Sequence, residues 1–130
     1  MTDEARGSRR GLAVFRMWRA TANSWRGILV AARSEAAIRE ELVALALSIP
    51  LAFFVTPLAW KRLALIGVLL LLLAVELLNT AIEKLSDHVT ATHHPDIGRI
   101  KDMGSAAVGV ALLIAGFTWL VAVAEWLGLI

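Results

Sequence analysis

Glu76, Asn79, Thr80, Glu83 and Asp87 recur at i, i+3, i+4, i+7 and i+11. On a helix, at 100° per residue, they fall within an arc of about 100° and form one polar stripe. Glu76 is the only charge in the run Leu63–Ile82, and an ionised carboxylate in lipid is costly enough to be a functional candidate by default. Asn79 and Thr80 alone would be enough to bond a neighbouring helix. Two glutamates and an aspartate on the same stripe repel one another unless a cation sits between them. Hard Mg²⁺ prefers carboxylate oxygens and keeps open positions for phosphate. The stripe therefore points to a divalent metal site, with simple helix association as the plainer alternative.

Glu35, Glu40 and Glu41 form a second acidic group ahead of Leu42. They extend the same chemistry or merely favour the dipole at a helix N-terminus. Gly98-Arg99-Ile100-Lys101-Asp102-Met103-Gly104-Ser105 opens the last apolar run. A glycine, two cations and a fresh helix N-terminus there suit a phosphate cradle; the alternative is membrane anchoring by Lys101, with Asp102 as N-cap. His88, His93 and His94 are metal ligands or solvated loop histidines. Carboxylates for a metal, a buried carboxylate as base and a cationic segment suit phosphoryl transfer to a lipid hydroxyl. The chain has neither a Gly-x-x-x-x-Gly-Lys-Ser/Thr loop nor a protein-kinase signature, so its nucleotide site would be unconventional.

The elements that position these groups follow from composition. The chain has 130 residues, 58% of them apolar, nine glycines and only 18% charged residues, with mean hydropathy +0.71. A soluble globule of this size cannot cover its surface with such a composition, and disorder is equally excluded. Without cysteine, disulfides, thiolate metal sites and cysteine nucleophiles are out. Uncharged runs extend over Leu42–Trp60 and Met103–Ala124, and Leu63–Ile82 is broken only by Glu76. Each is long enough to cross a hydrocarbon core about 30 Å thick. The expectation is an all-α membrane protein of one domain, 1–130, with three transmembrane helices at 42–60, 63–82 and 103–124. Pro50 and Pro57 should bend the first span or shorten it near its end. A cleaved leader is not expected, because the first apolar run starts late and is long.

Phe15, Trp18, Ala22, Trp25, Leu29 and Ala32 share one helical face, and Arg19, Arg26 and Arg33 flank it every seven residues. A basic amphipathic helix with tryptophan, at about 12–33, reads as lying in the membrane plane; a helix packed on the spans is the alternative. Eight of the thirteen Lys and Arg precede Leu42, two are at 61–62 and three lie between Glu83 and Asp102. Three spans put the first and last groups on one side, which is then cytoplasmic. Trp60 and Trp126 mark the opposite interface.

Three blocks of this sequence resemble the small integral-membrane diacylglycerol kinase family of bacteria. They are Ser34-Glu35-Ala36-Ala37-Ile38-Arg39-Glu40-Glu41, then Glu76-Leu77-Leu78-Asn79-Thr80-Ala81-Ile82-Glu83 with Asp87, then Gly98 to Ala107. The resemblance runs from about Phe15 to the C-terminus. It implies a homotrimer in the cell inner membrane, using ATP and Mg²⁺ to phosphorylate diacylglycerol to phosphatidic acid, with no nucleic-acid partner. By position, Glu76 is similar to the family's general base and Asn79 to the residue that orients the site. Glu35 and Glu83 match the metal ligands holding the ATP phosphates. Lys101, Asp102, Arg16 and His94 match nucleotide-binding positions, and Arg39, Glu41 and Ser105 positions lining the lipid site, to which Glu76 also belongs. Asn23 stands at a nucleotide-site position where better-known members carry an aromatic, and Thr92-His93 replace an acidic–aromatic pair. Undecaprenol kinases share the Glu76–Glu83 pattern, but Met103-Gly104-Ser105 resembles the Gram-negative diacylglycerol enzymes more. A small multidrug transporter also uses a lone membrane glutamate, but with four spans and no acidic stripe continuing out of the membrane.

Overall fold

A computed structural model describes residues 3–90 and 94–130. These residues form four helices, α1 (Asp3–Ser34), α2 (Ala36–Val55), α3 (Ala59–Val89) and α4 (Pro95–Trp126). They divide into two units, Met1–Ser34 and Glu35–Ile130.

The first unit is α1. It begins earlier than the expected residue 12, at Asp3. Trp18 and Trp25 on its apolar stripe are 73% and 63% exposed. The Arg19 guanidinium lies 5.8 Å from the centre of the Phe15 ring, so its stem runs along that stripe. At the C-terminal end, Ser34 Oγ donates to the carbonyls of Val30 and Ala31 in the last turns of the helix. Arg33 in the last turn meets the negative end of the dipole.

In the second unit α3 packs against α2 on one side and α4 on the other. Contacts pair α3 and α4 antiparallel. Lys61 joins Glu125, Trp119 Nε1 donates to Leu65 O at 3.1 Å, Gly104 faces Asn79 and Lys101 joins Asp87. The inner face of α3 is legible as a seven-residue repeat, Leu65, Leu72, Asn79 and Ser86, with Leu73, Glu76 and Thr80 beside it, all buried. The buried residues of α4 are Gly104, Ala111 and Ala115, small enough for the two backbones to approach closely. Ile38, Ser48 and Ala52 are the buried residues of α2. Trp60 lies in the first turn of α3 and Trp126 ends α4, so both tryptophans stand at one end of this unit. The Phe54 ring lies 5.2 Å from that of Trp126.

Two expected boundaries are corrected. The run 42–60 is not one helix, since α2 stops at Val55 and Ala59–Trp60 already belong to α3. Pro57 is the cause: it drives the preceding residue out of the helical region, and Thr56 is extended at φ −146°, ψ 139°. The resulting turn is held by Leu58 N donating to Thr56 Oγ1 at 3.2 Å and Arg62 Nε donating to Thr56 O at 2.8 Å. Pro50 stays inside α2 without ending it. The uncharged part of α2, residues 42–55, is about 21 Å long at 1.5 Å per residue. Among the described residues two helices, α3 and α4, are long and apolar enough to cross a membrane. The second correction is at α4, which starts at Pro95 with His94 as N-cap, the imidazole accepting from Asp96 N. Gly98–Ser105 is therefore helix interior. Its backbone N–H groups are used within the helix, so no phosphate cradle at a fresh N-terminus forms there, and Asp102 is not an N-cap. Thr92 and His93 lie outside the described residues.

Candidate active site

The end of α3 that leaves the apolar run carries the acidic stripe, and the adjoining ends of α2 and α4 bring further charges to it. Glu76 is 9% exposed and Asn79 is 8% exposed. Glu83, Glu35 and Glu41, all of its own sign, lie close enough to Glu76 for their charges to act on it. One turn along, Asn79 Nδ2 donates to Glu83 Oε1 at 3.2 Å, an i,i+4 bond that orients the second carboxylate.

Glu35 is the N-cap of α2 with an extended backbone, yet its side chain makes no capping bond. Instead Lys84 Nζ donates to Glu35 Oε1 at 2.8 Å. Glu40 and Glu41 lie beyond the first turn of α2, which holds no acidic residue, so helix-dipole stabilisation reaches Glu35 but not Glu40 or Glu41. Glu41 Oε2 is buried without a hydrogen-bond partner among the described residues. Desolvation, with the charge of Glu76 second, pushes the Glu41 carboxyl up to about 7. Asp87 accepts from Lys101 across the α3–α4 pair. Lys84 and Lys101 thus offset Glu35 and Asp87, while Glu76 stands beside carboxylates of its own sign.

The family model for prokaryotic diacylglycerol kinase matches residues 22–123. The chain belongs to the prokaryotic diacylglycerol kinase family. This kinase is 41% identical over 104 residues to the diacylglycerol kinase of Escherichia coli K12, an alignment covering 80% of this chain and 85% of the relative. The diacylglycerol kinase of Pseudomonas aeruginosa is 44% identical with the same coverage. That of Haemophilus influenzae is 38% identical over 99 residues, 76% of this chain and 84% of the relative. This membrane enzyme is therefore a lipid kinase, and a transporter reading of Glu76 is set aside.

Of the kinase residues picked out in the sequence, Asn79 and Glu83 are hydrogen-bonded, and Glu35, Glu41 and Glu83 lie near enough to Glu76 for their charges to act on one another. Lys101 joins them through Asp87, next along the stripe. Asp102 and Ser105 are exposed on α4, Arg39 is exposed on α2, and His94 caps α4 locally. Arg16 and Asn23 are exposed on α1, in the other unit. Among the described residues, His, Asp and Glu form no group of three around a common point that would hold a metal. Sequence reasoning missed Lys84 as the partner of Glu35; its only signal was being a lone cation on an acidic helix end.

The Glu41 carboxyl has a direct consequence for stability. Its folded-state value, about 7, lies above the ordinary 4.5. Below pH 4.5 the group is protonated in both states and costs nothing. As pH rises towards 7 the unfolded chain releases the proton first, so stability falls across that window and levels off above it. Thermal unfolding in detergent between pH 4.5 and 8 should show this decline, and Glu41→Gln should flatten it. An identical slope in the variant would remove Glu41 as the cause.

Proposed function

We propose that this chain transfers the terminal phosphoryl group of ATP directly to the primary hydroxyl of diacylglycerol, giving phosphatidic acid. The observation that carries the reading is the burial of Glu76 among carboxylates of its own sign. Glu76 takes the hydroxyl proton as the lipid oxygen attacks phosphorus and ADP leaves, the role of a positioned general base. Asn79 orients the site by holding Glu83.

The donor set fits Mg²⁺. Glu35 and Glu83 supply hard oxygens, and Glu35 already holds a cation, the Lys84 ammonium. Two carboxylates are enough for an ion that keeps several waters and shares phosphate oxygens. When bound there, magnesium would neutralise charge on the transferred phosphoryl group. Lys101, Asp102, His94, Arg16 and Asn23 would bind the nucleotide, while Arg39, Glu41 and Ser105 would line the lipid site.

The chain works as a single kinase domain in a homotrimer whose neighbouring subunits wall the pocket. It sits in the inner membrane with α2 as a third crossing, shortened by Pro57, and with the N-terminus and the α3–α4 connection in the cytoplasm. The purified protein in mixed micelles, given ATP labelled in its terminal phosphate, should label diacylglycerol far faster than undecaprenol. The reverse order would make the chain an undecaprenol kinase, and label in neither lipid would end the proposal.

A further inference from the structure

A Cβ built on Gly104 would overlap Asn79 Oδ1 and stand 3.4 Å from Asn79 Cγ. At Gly27, Gly67, Gly98, Gly109 and Gly116 an added Cβ meets nothing within 4 Å. Gly104 is thus the one helical glycine among these whose missing side chain is occupied by another group, and that group is an amide of the candidate active site. Its backbone is ordinary helix, with no positive φ, so conformational freedom does not explain the glycine. Space does.

The amide is tightly defined. Its Nδ2 donates to Glu83 Oε1 at 3.2 Å, while Oδ1 is buried with no conventional donor among the described residues. An oxygen pressed against a glycine Cα at a helix–helix contact is the setting of a weak Cα–H···O interaction. Any larger residue would push the oxygen away, turn the amide and disturb the acceptor on Glu83.

We propose that Gly104 is a positioning residue for phosphoryl transfer. By leaving room on α4 it seats the Asn79 amide, which in turn aims Glu83. This inference rests on the proposed roles of Asn79 and Glu83 and adds a specific element to them: α4 sets the carboxylate geometry of α3 through one backbone approach, without supplying a side chain.

A double-mutant cycle tests it. Gly104→Ala alone should lower turnover roughly a hundredfold, the scale of an ångström-sized misplacement in an active site. It should also raise the Mg²⁺ concentration needed for half-maximal rate, a readout that a general packing defect would not move. In an Asn79→Ala background there is no oxygen to displace, so adding Gly104→Ala should change turnover about twofold or less, because residues acting through one another are non-additive. Equal losses in both backgrounds would overturn the inference while leaving the role of Asn79 intact. Wild-type turnover in Asn79→Ala would instead sink the role of Asn79, and the inference with it. If Gly104→Ala does not assemble, the cycle is read as assembled yield. Recovery in the double variant then supports the steric relation, and no recovery contradicts it.

Discussion

Glu76→Gln is expected to fold, assemble and lose about 10²- to 10⁴-fold of its phosphoryl transfer, the usual contribution of a general base. Glutamine keeps the shape and polarity of the buried side chain but cannot take a proton. The substitution also removes an anion from among Glu83, Glu35 and Glu41, so thermal stability should hold or rise while activity collapses. That opposition separates loss of chemistry from loss of fold. It should be measured as turnover and unfolding temperature on the same purified sample. Near wild-type turnover would remove Glu76 as the base.

Glu83→Ala should act differently. Glu83 accepts from Asn79 and is one of two proposed oxygen donors to magnesium, so its loss should fall mainly on the use of Mg·ATP. The Mg²⁺ concentration for half-maximal rate should rise by at least roughly tenfold, since even residues that only support a metal ligand change affinity by 10- to 100-fold. Saturating magnesium should restore part of the rate, which it should not do for Glu76→Gln. A magnesium titration of the two variants beside the wild type makes the comparison. An unchanged magnesium requirement in Glu83→Ala would contradict the metal role.

The polar stripe was legible because helical periodicity needs only spacing, and the same spacing places Glu76, Asn79 and Thr80 on the buried face of α3. Pro57 was legible as a limit on α2 because its effect on the preceding residue is local. The start of α4 is not legible, for an opposite reason. Asp96, Arg99, Lys101 and Asp102 interrupt the apolar pattern there, and apolar run length marks a span without marking how far its helix continues beyond it. The first turns of α4 hold themselves with Pro95, the His94 cap and an i,i+3 pair between Arg99 and Asp96 at 2.9 Å. The links of Lys84 to Glu35 and Lys101 to Asp87 join different helices, and periodicity along one helix cannot assign them. Gly104 was visible only as part of a motif, since its relation to Asn79 exists only once α3 and α4 are paired.

Loss of activity in Glu76→Gln does not by itself distinguish a base from a carboxylate that accepts the phosphoryl group covalently. The stereochemical course of the reaction does. With ATP made chiral in its terminal phosphate by oxygen isotopes, one direct in-line transfer to diacylglycerol must invert the configuration at phosphorus, and inversion is the predicted result. Retention would mean two successive displacements through a phosphorylated side chain, and would contradict the account of Glu76 as the group that takes the lipid's proton.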